Sequence, residues 1–222
     1  MFLGHYALAL GAKRVAPRTS LGTLVLAVQL PDLLWPLFLL LGWEHVAPGD
    51  RGFTALTFTD YPWSHSLALV VVQALVIAAV YRAGGRHGRA AGVLAALVVS
   101  HWVLDYVTHR PDLPLAPGGT SRWGLGLWTS PAATIAVEGV MWLLGIAVYL
   151  RTTRARDRVG QVGWWAWALL LTAIYTTNLT AVAPTDMRMV AWGALAGWLA
   201  PLWAAWADRH REPATGGLPA PG

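Results

Sequence analysis

Residues 90–108, AAGVLAALVVSHWVLDYVT, form a long apolar run with a polar end. It is long enough to cross the hydrocarbon core of a bilayer as a helix. It nevertheless ends in the polar pattern His101-x3-Asp105, which His109 continues one turn further. Residues four apart in an α-helix advance by about 400°, so these three side chains share one face. An ionisable residue inside a membrane segment costs roughly 2.5–3.5 kcal/mol on insertion scales, and each one therefore needs a partner.

Apolar stretches of similar length recur along the chain. It has 222 residues, of which 56% are hydrophobic and 12% charged, whereas a soluble domain carries about 25% charged residues. We therefore predict an all-α fold, a polytopic transmembrane helix bundle with a short N-terminal helix at 2–16. Six long spans are expected, at 21–42, 64–82, 90–108, 131–150, 163–182 and 187–207. Residues 1–211 should form one domain, and the Pro/Gly/Ala-rich residues 212–222 a disordered tail.

The distribution of Lys and Arg predicts the orientation. The loops near 13–18, 82–89 and 151–158, together with the tail at 209–211, hold 12 of these residues, and the opposite loops hold 4. The positive-inside rule then places the first set and the C-terminus in the cytoplasm. We expect a multi-pass protein of a bacterial-type inner (cytoplasmic) membrane. The net charge of +5 follows from these loops, so no nucleic-acid partner is expected.

Residues of the metal-ligand type fall on the extracytoplasmic side of this frame. They are His5, Asp32, His65, His101, Asp105, His109 and Glu138. The count of Lys and Arg takes no account of these residues, and yet all seven fall on the same side of the membrane. Their common side predicts one shared metal site. Because the chain has no cysteine, the ligands must be imidazole and carboxylate, which suit one to three zinc ions, or manganese or iron.

Each residue also has a simpler interpretation. A single histidine on an apolar face is usually a buried, hydrogen-bonded residue, and this applies above all to His5. Asp32 follows Pro31 and can cap the restart of a broken helix. Glu138 can pair with an arginine or a tryptophan indole.

Further polar residues flank the predicted ligands. Ser64, Ser66, Ser100 and Thr108 are candidates for hydrogen bonds to the ligands. Asp60 and Asp112 lie in outer loops near the expected mouth of the site. Arg110 and Arg122 are candidates for attracting an anionic head group. A metal-activated water at such a site hydrolyses phosphoesters, and Asp32 and Asp105 are the candidate catalytic residues.

Several short motifs carry a resemblance to a known family. They are Gly4-His5, Leu30-Pro31-Asp32, Ser64-His65-Ser66 and Ser100-His101-x3-Asp105-x2-Thr108. Over residues 1–115 this succession resembles the membrane-bound metal-dependent hydrolase family, whose members are described as inner-membrane-associated hydrolases. The chain departs from that family's pattern at Leu34, where a second Asp would stand, and at Tyr61-Pro62-Trp63-Ser64, which replaces Arg-Gly-x-Thr. Asp60 stands where the family has its first histidine.

The order of the ligand-type residues also resembles zinc-dependent phospholipase C, with Thr134 in place of the last histidine. This resemblance implies phosphoester hydrolysis by a zinc cluster, with Asp32 as a bridging ligand or as the base that orients water.

Three functions are compatible with these patterns. The first is a membrane-embedded metal-dependent hydrolase acting on a phosphoester or lipid-linked substrate. The second is a transporter or metal/proton carrier, because intramembrane His, Asp and Glu also mark ion pathways. The third is a non-enzymatic membrane protein with a structural metal site.

Overall fold

A computed structural model describes residues 1–85 and 88–214 of the chain. The fold is mainly helical, as predicted. The helices are α1 (Leu3–Ala12), α2 (Leu21–Val28), α3 (Leu30–Leu40), α4 (Pro62–His65), α5 (Leu67–Ala83), α6 (Arg89–Thr108), α7 (Pro131–Thr152), α8 (Arg158–Thr177), α9 (Met187–Ala194) and α10 (Leu199–Arg209), with 3-10 turns at Gly52–Thr54, Leu127–Thr129 and Leu195–Trp198.

Short antiparallel strand pairs lie at the ends of the helices. Strand β1 (His45–Pro48) pairs with β2 (Leu56–Asp60), β3 (Leu113–Pro114) with β4 (Arg122–Trp123), and β5 (Thr153–Ala155) with β6 (Arg211–Pro213). These pairs are not among the elements predicted from the sequence. The last one bears on the predicted tail, because Glu212 and Pro213 belong to β6 and the amide of Ala214 donates to the carbonyl of Thr152. Residues 215–222 lie outside the described residues.

The helices support membrane association. Within the described chain, three helical stretches are long and apolar enough to cross a membrane: Arg89–Thr108, Pro131–Thr152 and Met187–Arg209. Helices α2 and α3 make a fourth if the pair is one bent span. The six predicted spans are therefore not all confirmed. Helix α5 is apolar but has 17 residues, and α8 falls outside the set because tryptophans, threonines and a glutamine lower its mean hydropathy.

The predicted span at 21–42 is bent by 56° between α2 and α3. The break lies at Gln29, two residues before Pro31. Proline has no backbone N–H to donate, and its ring clashes with the carbonyl four residues earlier, so a helix does not continue through it unbent. The bend places Asp32 in the first turn of α3, where a carboxylate is favoured by the helix dipole.

Helix α1 lies in the centre of the fold, with most of its residues buried. It packs most extensively against α7, where Gly145 faces Ala7. A Cβ added at Gly145 would come within 2.8 Å of the Cα of Ala7, so only glycine allows the two backbones to meet there. This contact fixes α1, and with it His5, inside the bundle.

Large apolar side chains cover the outer surface of the helices. Leu75 on α5, Leu143 on α7 and Leu169 on α8 are all exposed. Such extensive apolar exposure marks a membrane-facing or partner-facing surface, which agrees with the apolar composition of these helices.

Candidate metal centre

The bundle brings five of the seven predicted ligands together from four helices. His5 comes from α1, Asp32 from α3, His65 from the end of α4, and both His101 and Asp105 from α6. They form two groups that can each hold a metal ion, and the two groups share His101. Within each group, the ligand atoms all lie within 4.8 Å of one another.

The first group is His5, His101 and Asp105, and all three are buried. Nε2 of His5 lies 3.0 Å from Oδ1 of Asp105, and Nε2 of His101 lies 3.1 Å from Oδ2. The two imidazole rings stack with their centroids 3.9 Å apart and an interplanar angle of 5°. The carboxylate of Asp105 thus bridges the Nε2 atoms of two stacked imidazoles, with one oxygen on each.

The second group is Asp32, His65 and His101. Oδ1 of Asp32 lies 3.3 Å from Nε2 of His65 and 3.6 Å from Nε2 of His101. The two Nε2 atoms are themselves 3.4 Å apart. Oδ2 of Asp105 is 3.7 Å from Nε2 of His65, so both carboxylates approach the same imidazole pair.

The tautomer of His101 follows from its second ring nitrogen. Nδ1 lies 2.7 Å from the carbonyl oxygen of Val28 in α2. A carbonyl only accepts, so Nδ1 carries the hydrogen and donates it. In a neutral ring, Nε2 then has a free lone pair directed into the site. The bend that ends α2 next to Val28 is what leaves this carbonyl available to a side chain.

The tautomer of His65 is set through Ser64 and Glu44. Both carboxylate oxygens of buried Glu44 contact Oγ of Ser64, at 2.9 and 2.7 Å, and the backbone N–H of Ser64 donates to Glu44 across 2.7 Å. Since a carboxylate only accepts, the single Ser64 proton goes to Glu44, and Oγ accepts from Nδ1 of His65, 2.6 Å away. Nε2 of His65 is therefore also left with its lone pair facing the site.

Glu44 is a site residue that is not among those predicted from the sequence. It lies just after α3, in the loop that leads to β1. Burial raises its pKa, and the hydrogen bonds from Ser64 oppose that rise. The signal was present, because Glu44 follows a predicted outward-running span and so belongs to the same side as the predicted ligands.

The distances around the two imidazoles fit a metal ion. The Nε2 atoms of His65 and His101 lie 3.4 Å apart, and each lies 3.1–3.7 Å from an oxygen of Asp32 and an oxygen of Asp105, with the imidazole protons on the far side of both rings. Zn–N bonds of about 2.05 Å in a tetrahedron give ligand separations of roughly 3.3 Å. A cation between these atoms removes the mutual repulsion of the lone pairs and of the two carboxylates. The Asp and His residues can therefore hold a metal ion.

His109 lies at the edge of this centre. Its Nε2 is 3.9 Å from Oδ2 of Asp105, and its Nδ1 is 3.0 Å from Oδ1 of Asp112. Tyr61 also donates its hydroxyl hydrogen to Asp112. Burial and the neighbouring Asp112 keep the pKa of Tyr61 well above its ordinary value, so the hydroxyl keeps its proton. Asp112 thus orients His109 towards the centre.

Glu138 is buried but belongs to neither group of possible ligands. Its Oε2 accepts hydrogen bonds from the backbone N–H groups of Phe2, at 2.9 Å, and Gly4, at 3.3 Å. These amides open α1, so the carboxylate compensates the positive end of that helix. Its Oε1 has no hydrogen-bond partner within the described chain. The amino group of Met1 lies nearby and contacts Oδ1 of Asp105. It adds one positive charge beside the carboxylates of Asp105 and Glu138.

The other polar residues predicted for the site make no hydrogen bond to the side chains of the two ligand groups in the described chain, and most of them bond to the backbone of their own helices. Ser66 caps α5 by accepting from the amide of Leu69, and Ser100 donates to the carbonyl of Leu97. Thr108 donates to the carbonyls of Leu104 and Asp105. Asp60 is exposed at the end of β2.

The two predicted head-group arginines are engaged outside the centre. Arg110 pairs with Asp50 at 3.2 Å, and Arg122 donates to the carbonyls of Gly119 and Ser121.

A cavity of about 340 Å³ reaches the centre from one side. Asp32, His65, Asp105 and His109 are exposed to it. Its remaining wall is mostly apolar and includes Phe2, Phe53, Leu56, Phe58, Trp128, Val182 and Val190. The volume lies in the range of small-molecule sites. Neither Arg110 nor Arg122 is among the described residues that line it.

Comparisons with protein-family models, with curated proteins and with solved structures found no match to this chain. The resemblance to membrane-bound metal-dependent hydrolases, and the likeness in ligand order to zinc-dependent phospholipase C, stay predictions from the motifs.

Proposed function

We propose that this protein is a membrane-embedded metal-dependent hydrolase that cleaves a phosphoester or a related bond of a lipid-linked substrate. The observation that carries the proposal is the convergence of the His65 and His101 lone pairs on Asp32 and Asp105. A purely structural histidine cluster would direct ring N–H groups at the carboxylates. Here the hydrogen bonds to Val28 and Ser64 turn the protons of both rings away from them.

In this proposal the buried residues hold the metal, and the more exposed Asp32 accepts a proton. His5, His65, His101 and Asp105 are buried and hold their positions through packing and hydrogen bonds. Asp32 has a side chain that is 41% exposed and lines the cavity, so it is the carboxylate best placed to accept a proton from an attacking water. A bound divalent metal supplies a water of lowered pKa and polarises a phosphoryl oxygen.

The cavity favours a substrate with an apolar body. Its aromatic and aliphatic walls lead to a polar end formed by Asp32, His65, Asp105 and His109. An amphiphilic ester would place its chain against Phe53, Phe58 and Trp128 and its scissile group at the polar end. Because the nearby arginines are engaged elsewhere, the negative charge of a phosphoryl group would be balanced by the metal.

The proposal is tested with protein purified in detergent and loaded separately with zinc, manganese or ferrous iron. A panel of phospholipids and lipid phosphates is incubated with it, and products are identified by mass spectrometry. We expect hydrolysis that requires one of the metals and is lost in His101→Ala. His45→Ala is the matched control, because His45 is an exposed residue of β1, and it should retain activity. Equal turnover in wild type and His101→Ala would refute the proposal.

The same protein in proteoliposomes separates hydrolysis from transport. Metal or proton flux without any hydrolysis would favour the carrier over the hydrolase. A bound metal with neither flux nor turnover would favour a structural site.

A further inference from the structure

A second cavity, of about 580 Å³, lies at the far end of α1 from the metal centre. Lys13 lines it, at the C-terminal end of the helix that carries His5. Eight residues of helix separate the two positions, a rise of about 12 Å. The ends of α7 and α10 contribute Thr153, Asp208 and Arg209 to the same cavity. It is therefore separate from the centre described above.

The cavity wall carries more positive than negative charge. Lys13, Arg18, Arg209 and Arg211 line it, together with Asp208 and Glu212. Both acidic residues already have ion-pair partners: Asp208 pairs with Lys13 at 2.8 Å, and Glu212 pairs with Arg154 at 2.7 Å. In the described part of the chain, the three lining arginines have no carboxylate within ion-pair distance.

Arg211 is the most unusual of these residues, because its guanidinium is buried, with the residue 9% exposed. Its Nε donates to Oγ of Thr153 at 3.1 Å, and its two terminal nitrogens donate to the carbonyls of Gly160, at 3.0 Å, and Thr153, at 3.3 Å. The group also stacks over the ring of Tyr149. Burial lowers the pKa of Arg211, and Tyr149 and Asp208 oppose that shift, as expected for a cation taken out of water without a direct ion pair.

We propose that this cavity binds the phosphate group of an anionic lipid head group. Arg18 and Arg209 are exposed at the cavity and available for charge-assisted hydrogen bonds to phosphate oxygens. Hydroxyls of Ser20 and Thr23 line the same space. The buried charge of Arg211 adds a favourable field for any anion in it.

A lipid is the favoured source of the phosphate because of where the cavity lies. On α10, Leu202 and Trp206 are exposed apolar residues within one or two turns of the lining residues Ala205 and Arg209. Acyl chains can pack on such a surface while the head group is held by the arginines. In the orientation predicted from loop charge, this end faces the cytoplasmic leaflet, where anionic lipids attract basic residues.

The experiment uses the full chain in detergent, titrated with a short-chain phosphatidic acid, a short-chain phosphatidylcholine and inorganic phosphate in separate arms. The variant Arg18→Gln with Arg209→Gln removes the exposed charges of the cavity. The matched control is Arg14→Gln with Arg82→Gln, a pair of exposed arginines near the same end that do not line the cavity. Helicity and metal content are measured for every variant.

Wild type and control should bind the acidic lipid well above the zwitterionic one, and the cavity variant should bind it about 30-fold more weakly, at roughly 1 kcal/mol per arginine. A different result is that inorganic phosphate binds saturably through Arg18 and Arg209 while neither lipid binds. That result would overturn the lipid as the ligand and assign the phosphate site to a soluble ligand. Equal weakening in both variant pairs, or no binding in any arm, would overturn the proposal. None of these results depends on the metal centre.

Discussion

The carboxylate of Glu44 lies 2.7 Å from Oγ of Ser64, although 20 residues separate them in the chain. Ser64 passes this hydrogen bond on to Nδ1 of His65. The relay determines which nitrogen of His65 carries the proton, and therefore whether Nε2 can act as a ligand. The protonation of His65 therefore depends on Glu44, a loop residue outside the helices that supply the ligands.

Replacing Glu44 by glutamine should weaken metal binding, because an amide no longer offers two acceptor oxygens to Ser64 and no longer holds the His65 tautomer. Loss of an outer partner of this kind typically costs about 10–100-fold in metal affinity. Competition with a chromogenic chelator measures the effect. Glu212→Gln, which removes a carboxylate from an exposed ion pair, serves as control. An unchanged metal affinity in Glu44→Gln would show that the relay has no influence on the site.

Gly145 should tolerate no larger residue, since it lets α7 approach the backbone of α1. We expect Gly145→Ala to destabilise the fold by about 1–3 kcal/mol through overpacking and to weaken metal binding by shifting His5. Gly139 is on the same helix, and nothing lies within 4 Å of a Cβ added there. Gly139→Ala should therefore change neither property appreciably. Thermal unfolding in detergent compares the two, and equal melting temperatures would argue against this packing contact.

The start of α8 should be sensitive to acid. Oδ1 of Asp157 accepts from the backbone N–H of Gly160 at 2.8 Å, and Oδ2 lies 2.7 Å from Nδ1 of His210. The Gly160 hydrogen bond and the His210 contact lower the pKa of Asp157 below its ordinary value of 3.8. Because the folded-state pKa is depressed, the stabilisation is complete above that ordinary value and is lost as pH falls through the lowered one.

Hydrogen-exchange protection factors for the first turn of α8 measure this effect. Protection should be retained above the ordinary carboxyl pKa of 3.8 and fall as the pH drops below it. Asp157→Asn keeps a capping oxygen but has no titrating group, so its protection should not show that fall. The same acid-dependent loss in both proteins would assign it to another carboxylate.

The local features of the sequence predicted much of the centre. The four-residue spacing of His101 and Asp105 placed both on one face of α6, and Pro31 marked the break that positions Asp32. Charge counting placed these residues on one side without reference to their chemistry. The structure brings them together with His5 and His65. Fewer helices than the six expected spans are long and apolar enough to cross a membrane in the described chain.

Other features depend on contacts that no local pattern encodes. Glu138 has the burial expected of a ligand, yet its carboxylate faces the amides that open α1, because those amides need an acceptor. Arg110 lies one residue after His109, yet it is drawn to Asp50 across an exposed hairpin region. The bond between His101 and the Val28 carbonyl required knowledge of where α2 ends and how it packs against α6.

The metal content of the purified full-length protein tests the central claim most directly. Elemental analysis should find zinc, manganese or iron at one or more equivalents in the wild type. The double variant His101→Ala with Asp105→Ala should contain almost none, whereas His45→Ala should match the wild type. Folded wild-type protein that binds no transition metal, even after incubation with each ion, would contradict the account.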